Sequence, residues 1–129
     1  MSPAMTAGDA PSRSVMIVED EMLIALMLQD MLEDAGLVVE GMANSLPSGL
    51  DLAKRSLAQL AILDVNLNGE EAYPIADVLR GRGIPFIFST GYGPGNLRED
   101  YQAAPQLMKP FQQDLLSAAI ASALKGATA

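Results

Sequence analysis

The stretch LAILDV, residues 60–65, decides the fold, because a short run of apolar residues ends on a single acid, Asp64. Runs of this kind are typical of strands in a parallel sheet whose two faces are both covered. Similar runs are SVMIV at residues 14–18, LVVEGMA at 37–43, IPFIFST at 84–90 and, more weakly, APQLM at 104–108. The sequence therefore predicts five strands.

Segments with apolar residues at helical spacing separate these runs and predict helices over residues 21–35, 47–55, 70–81 and 111–125. The last segment has Phe111, Leu115, Ala118, Ala119 and Ser122 along one face. Residues 91–95 hold three glycines and a proline, so we expect a mobile loop with at most a short helix near 96–102. Strands that alternate with helices predict an α/β fold with helices on both faces of a doubly wound parallel sheet.

Composition narrows the possible functions. The 129 residues, half of them hydrophobic, predict one domain, which we place at residues 14–126 after a disordered N-terminal lead at 1–13. A net charge of −8 argues against nucleic acid and anionic membranes as partners. Neither a membrane span nor a signal peptide is evident, which predicts a cytoplasmic protein. Because cysteine and histidine are absent, the chemistry must use carboxylates, hydroxyls and amines.

Polar residues stand at the carboxyl ends of four predicted strands: Glu19 and Asp20, Asp64, Thr90, and Lys109. Pro110 has no backbone N–H to donate, so it stops the fifth strand and holds Lys109 at its end. Ligands of open parallel sheets bind at this edge, so we expect these side chains to form one site.

The chemistry of this set points to Mg²⁺ and phosphate. Three clustered carboxylates repel one another and need a cation, and their hard oxygen atoms suit Mg²⁺. A carboxylate can also act as a nucleophile and form an aspartyl-phosphate, whose oxygens Lys109 and Thr90 could neutralise. Taken singly, Glu19 and Asp20 are better explained as helix N-caps or solvated strand ends, Thr90 as a turn residue and Lys109 as a solvated charge. The argument therefore depends on the whole set.

With these residues in view, the chain resembles the receiver domain of bacterial two-component response regulators. The residues that carry the resemblance are Glu19-Asp20, Asp64, Thr90 and Lys109-Pro110-Phe111, and it covers residues 14–125. FSTGYG at 88–93 and DVNLNGE at 64–70 further resemble the FATGUY subgroup of alphaproteobacterial receivers. The resemblance implies a flavodoxin-like five-stranded sheet in the order 2-1-3-4-5, with about five helices, of which the fourth is short or disordered.

The resemblance also implies a role for each site residue. Asp64 would be the phosphoacceptor. The Mg²⁺ ligands would be Glu19, Asp20, Asp64 and the backbone carbonyl of Asn66. Thr90 would be the switch hydroxyl, Lys109 would pair with the phosphate, and the Lys109-Pro110 bond would be cis.

One departure concerns the switch. Receivers commonly carry an aromatic residue three positions before the lysine, and this sequence has Gln106 there. We hypothesise that Tyr92 takes over part of the switching, although it could equally be a half-buried packing residue. Asn66 and Tyr92 are also positioned by sequence to tune the lifetime of the phosphate.

The implied function is that of a single-domain response regulator and not of an enzyme. A sensor histidine kinase or a phosphotransfer protein would phosphorylate it, and a monomer or weak homodimer would act as a phosphate sink or bind a downstream regulatory protein. The predicted contact surface includes Tyr101, Gln106, Phe111 and Gln112. One alternative is a phosphorylation-independent pseudo-receiver. Another is a small aspartate-nucleophile phosphatase, for which Asn66 lacks the acid group.

Overall fold

A computed structural model describes residues 13–91 and 97–128 of the chain. Its main sheet has five parallel strands: β1 Ser14–Val18, β2 Val38–Ala43, β3 Leu60–Asp64, β6 Phe86–Thr90 and β7 Gln106–Met108. A separate antiparallel hairpin contains β4 Asn66–Leu67 and β5 Glu70–Glu71. The main sheet has the order β2-β1-β3-β6-β7, which confirms the predicted order 2-1-3-4-5 and the flavodoxin-like fold.

Helices cover both faces of the main sheet. They are α1 Met22–Asp34, α2 Leu46–Arg55, α3 Tyr73–Arg82 and α4 Gln113–Thr128, with a 3-10 turn at Glu99–Tyr101. One core cluster joins α1 and α4 to the sheet, and the other joins α2 and α3 to the opposite face. Among the residues of the two described ranges, the five predicted helices are thus four α-helices and one 3-10 turn, which occupies the place of the short fourth helix.

The side chains of β1 show how one strand serves both cores. Val15 and Ile17 pack with α1 and α4, whereas Met16 and Val18 pack with α2 and α3. All four side chains are buried. Side chains alternate between faces along a strand, so a strand covered on both sides must be apolar throughout, as the sequence pattern indicated.

Gly36 ends α1 in a left-handed conformation. Gly36 has φ +87°, and its N–H donates to Glu33 O, while the next N–H, of Leu37, donates to Leu32 O. These two bonds make a Schellman turn, which needs a left-handed residue that glycine adopts at little cost.

The predicted helix over residues 70–81 is wrong at both ends. Its first residues, Glu70 and Glu71, lie in β5 and are not charges at the start of a helix. The Asn68-Gly69 pair, with φ of +54° and +89°, turns the chain into the hairpin, and α3 begins only at Tyr73. The helix then passes Gly81 and ends before Gly83, whose φ is +73°.

The last helix also differs from its prediction. It begins at Gln113 and continues past Gly126 to Thr128. Its buried residues are Leu116, Ala119, Ile120 and Ala123, whereas Leu115, Ala118 and Ser122 are exposed. Apolar residues occur on all sides of this segment, so their spacing did not determine which face packs on the sheet.

Some predictions concern residues outside the described ranges. Residues 1–12 of the predicted disordered lead are among them, whereas Arg13 is described and its carbonyl accepts a hydrogen bond from Val38 N. In the described part of the chain, no helix is long and apolar enough to cross a membrane.

Candidate functional site

The carboxyl edge of the main sheet gathers the polar residues that end or follow its strands. In the parallel register Asp64 lies beside Ser89, and Thr90 lies beside Met108. Lys109 N then donates to Thr90 O at 2.9 Å, which fixes the start of the next segment. The structure therefore brings together five of the predicted site residues at one edge: Glu19, Asp20, Asp64, Thr90 and Lys109.

Lys109 joins two carboxylates in the centre of this edge. Its Nζ lies 2.9 Å from Asp64 Oδ2 and donates a hydrogen bond to it. The same Nζ lies 3.0 Å from Glu19 Oε1, an ion-pair contact that is not aligned as a hydrogen bond. Glu19 and Asp64 are only 3% and 6% exposed, so the ammonium compensates charges that water scarcely reaches. The predicted cis peptide bond between Lys109 and Pro110 is present.

Burial makes Glu19 an unusual acid. It raises the pKa of Glu19 to about 7, against the opposing effect of the Lys109 ammonium and of the Glu21 N–H, which donates to Glu19 Oε2. The neighbouring charge of Asp64 raises that pKa further. Near neutral pH, Glu19 is therefore poised between its acid and its carboxylate form.

Asp20 behaves in the opposite way. Burial alone would raise its pKa, but hydrogen bonds from Glu19 and from the backbone N–H of Asn68 outweigh that effect and lower the pKa. Asp20 therefore stays ionised beside a neighbour that holds its proton more tightly. At this edge either Asp20 alone or both Asp20 and Glu19 can carry a negative charge. A bound cation favours the state in which both are ionised.

The donor atoms fit Mg²⁺. Glu19, Asp20 and Glu21 each offer a carboxylate oxygen, and these oxygens lie within 4.8 Å of one another. Carboxylate oxygens are the ligands that Mg²⁺ takes in proteins. Asp64 is not in this group and instead contacts Lys109. Glu21, exposed at the N-cap of α1, was not among the Mg²⁺ ligands predicted from the sequence. A cation here would compete with the ammonium for Glu19.

Two depressions flank the site. One, of about 310 Å³, is lined by Ile24, Met27, Lys109, Pro110 and Phe111. The other, of about 230 Å³, lies across the acidic pair between α1 and the end of β2. Met22, 62% exposed, lines the second depression, and Met27, 43% exposed, lines the first. Leu23, at 82%, and Leu26, at 45%, are exposed on the same helix. The charged centre thus has exposed apolar side chains of α1 beside it.

Three residues predicted to modulate the site have different outcomes. Gln106 pairs with Phe88 in the register of β6 and β7, and its buried Oε1 has no hydrogen-bond partner among the described residues. Pro110 is exposed beside Lys109. Tyr92 lies outside the described residues.

An aromatic cluster that the sequence analysis missed lies on the α3 side of β6. The ring of Tyr101 stacks on Tyr73 at 5.9 Å and meets Phe88 edge to face at 5.5 Å. The guanidinium of Arg98 lies over both tyrosine rings, and the backbone N–H of Arg98 donates to the Tyr73 hydroxyl. Tyr101 is 3% exposed, so its predicted place on a partner-binding surface is wrong. The only sequence signal was the number of aromatic residues in this half of the chain.

The β4–β5 hairpin is a second feature that the sequence analysis missed. Asn66 N donates to Asp64 Oδ1 at 3.1 Å, and Asn68 N donates to Asp20 Oδ2 at 3.0 Å. An Asn-Gly pair between two residues that can form strands is the strongest short-range signal for a hairpin, and Asn68-Gly69 carried it.

The pattern of the response regulator receiver domain matches residues 15–121. The chain belongs to this family. The solution structure of SdrG from Sphingomonas melonis Fr1 superposes on this chain with a TM-score of 0.80 and 37% sequence identity. The superposition covers 90% of this chain and 99% of SdrG. The crystal structure of the anti-anti-sigma factor PhyR from Bartonella quintana has a TM-score of 0.76 and 30% identity, over 91% of this chain and 49% of that one.

A curated relative extends the comparison. The transcriptional regulatory protein PdtaR of Mycobacterium tuberculosis is 31% identical over 121 residues, which are 90% of this chain. The chain spans only 59% of the length of PdtaR, as it spans about half of PhyR. These similarities confirm the resemblance to two-component receivers, whose members are signalling proteins.

Proposed function

We propose that the chain accepts a phosphoryl group on Asp64 from a phosphohistidine of a sensor kinase or phosphotransfer protein. The observation that carries the proposal is the contact of Lys109 Nζ with both Asp64 Oδ2, at 2.9 Å, and Glu19 Oε1, at 3.0 Å. A buried carboxylate paired with an ammonium at the open edge of a parallel sheet is a nucleophile with a ready partner for anionic oxygens.

The transfer can be written with the groups at hand. A carboxylate oxygen of Asp64 attacks the phosphorus, the P–O bond forms as the P–N bond of the donor breaks, and the imidazole nitrogen keeps the electron pair. Lys109 faces the phosphoryl oxygens as they arrive, because it already contacts Asp64 Oδ2. Thr90, buried at the same edge, is the hydroxyl we assign to the switch.

Mg²⁺ is the cofactor we assign to the acidic group, with Glu19, Asp20, Asp64 and the Asn66 carbonyl as the residues that would hold it. Its charge would neutralise phosphoryl oxygens beside Lys109. The raised pKa of Glu19 supports this assignment, since a buried acid close to Asp20 gains most from a cation that favours its ionised form.

The donor would be a protein whose apolar surface fits around the site. Exposed large apolar residues on one helix, beside a charged centre, are typical of a surface that another protein covers. Met22, Leu23, Leu26 and Met27 form such a surface on α1. We therefore assign the contact with the phosphohistidine domain to α1 and the adjoining depression at Phe111.

The output would be a protein contact, with a phosphate sink as the second possibility. The PhyR relative is described as an anti-anti-sigma factor, so its own action is on regulatory proteins. By that likeness we propose a regulatory protein, not nucleic acid, as the downstream partner. The net charge of −8 supports the exclusion of nucleic acid.

The test is amide NMR of the chain, titrated first with Mg²⁺ and then with beryllofluoride, a phosphoryl mimic. A beryllofluoride-activated conformation has been solved for SdrG, so the mimic suits this comparison. We expect Mg²⁺ to shift resonances of Glu19 and Asp20, and beryllofluoride to shift Thr90 and Lys109. Asp64→Asn should lose the second response, whereas Asp51→Asn, on the exposed side of α2, should keep it.

Other outcomes would favour the alternatives. A wild-type chain that responds to neither ligand would be a phosphorylation-independent binding module. Sustained turnover of small phosphomonoesters, lost in Asp64→Asn, would instead revive the phosphatase interpretation.

A further inference from the structure

The hairpin between β3 and α3 is anchored at its base and along one side. Leu67 of β4 is 1% exposed and belongs to the core under α2 and α3. Ala72 N donates to Val65 O at 2.8 Å and closes the hairpin at the point where α3 begins. The segment is therefore fixed to the core and not a free loop.

The tip of the hairpin is a tight turn with a side-chain cap. Asn68 and Gly69 both have positive φ, as the two central residues of a type I′ turn require. Asn66 Oδ1 accepts a hydrogen bond from Gly69 N at 2.7 Å. The side chain of Asn66 thus stabilises the turn through a hydrogen bond within the hairpin.

Two backbone N–H groups of the hairpin reach the acidic site. Asn66 N donates to Asp64 Oδ1 at 3.1 Å, while the other oxygen of that carboxylate accepts from Lys109. Two residues further on, Asn68 N donates to Asp20 Oδ2 at 3.0 Å. One short element therefore orients a carboxylate from β3 and another from the loop after β1.

We propose that the Asn68-Gly69 turn is a positioning element for the site, which sets the affinity for Mg²⁺ by orienting Asp20 and Asp64 through backbone N–H groups. This inference rests on the proposed function. Hydrogen-bonded partners of metal-binding carboxylates fix the direction of the ligand oxygens, and their loss typically lowers metal affinity. The turn, not a side chain that touches the ion, carries this effect.

Two glycines of the chain provide a matched pair of variants. Gly69 has φ +89° and Gly36 has φ +87°, and a Cβ added at either position meets no atom within 4 Å. Gly69→Ala and Gly36→Ala therefore strain the backbone in the same way without a steric clash. They differ in place, because Gly36 ends α1 at the far edge of the sheet.

Mg²⁺ affinity is measured for the full-length chain and both variants by titration of amide resonances. We expect roughly a tenfold loss in Gly69→Ala and wild-type affinity in Gly36→Ala. Amide hydrogen exchange in metal-free protein gives an independent readout. The Asn68 N–H should exchange faster in Gly69→Ala only.

Asn66→Ala is a second variant. It removes the side-chain cap of the turn without placing a new side chain at a residue with positive φ. It should also weaken Mg²⁺ binding, and it keeps the test decisive if Gly69→Ala does not fold. Unchanged affinity and unchanged Asn68 exchange in the folded variants would overturn the inference while the wild-type response still supported the proposed function. A wild-type chain that binds no Mg²⁺ would overturn both.

Discussion

Tyr101 donates its hydroxyl proton to Asp77 Oδ1 at 2.6 Å, and this bond joins the 3-10 turn to α3 across 24 residues of sequence. The ring lies against Phe88, the register neighbour of Gln106. A side chain from the 3-10 turn is thus tied both to α3 and to the face of the sheet that carries Phe88.

Tyr101→Phe should destabilise the chain by about 1 kcal/mol, because the ring still packs but the hydroxyl no longer reaches Asp77. Urea unfolding of both proteins measures the difference. The cost should vanish when Tyr101→Phe is made in an Asp77→Ala background, since the acceptor is then absent. An equal cost in both backgrounds would show that the hydroxyl acts on something other than Asp77.

The five main strands could be predicted because apolar runs and the polar residues that end them are local in sequence, whereas their order was implied by the resemblance to receiver domains. The face of α4 that packs on the sheet could not be predicted, because Leu115 and Leu116 are both apolar and only packing in the fold distinguishes them. The hairpin has a local signal in Asn68-Gly69, but the helix predicted over residues 70–81 covers its second strand, β5.

The site shows the same division. Asp64 and Lys109 were predicted to meet because strand ends converge in any parallel sheet. The pKa of their common neighbour Glu19 is raised by burial, and the spacing of residues in the sequence does not reveal burial. The burial of Tyr101 likewise depends on contacts between distant segments, those of its ring with Tyr73 and Phe88.

Leu23→Ser should slow phosphorylation by a protein donor and leave phosphorylation by a small-molecule phosphodonor unchanged. Leu23 is 82% exposed on α1 beside the site, so the substitution removes apolar contact area and not core packing. Initial rates with a phosphorylated histidine phosphotransfer domain and with acetyl phosphate measure the two reactions.

Leu57→Ser is the matched control, because Leu57 is 83% exposed and precedes β3 at the opposite edge of the sheet. It should leave both rates unchanged. Equal slowing in the two leucine variants would mean that surface hydrophobicity in general, and not the α1 surface, supports the transfer.

Glu19 should make the metal-free chain less stable as the pH rises from about 4.5 to 7. Its pKa is raised from 4.5 to about 7 by folding, so the folded state holds the proton more tightly than the unfolded state. The stabilisation is complete below pH 4.5 and is lost as the pH rises through 7. The lowered pKa of Asp20 acts in the opposite sense, but only at lower pH.

The measurement is urea unfolding in EDTA across this pH range for the wild type and Glu19→Gln. The variant should lose the decline, since its side chain does not titrate. Glu33→Gln, an exposed change on α1, should keep it. A wild-type profile that is flat between pH 4.5 and 7 would contradict the raised pKa.

Lys109→Gln should cost about 3 kcal/mol of stability at pH 8 in EDTA, because Asp64 and Glu19 lose the ammonium that compensates them. The cost should be smaller at pH 5, where Glu19 can take up a proton, and Mg²⁺ should restore part of it at pH 8. Lys54→Gln, on the exposed side of α2, controls for the loss of a positive charge. Urea unfolding at the two pH values decides the matter: an equal loss at both would show that the contact with Glu19 does not contribute, and that Lys109 acts through Asp64 or through the packing of its alkyl chain.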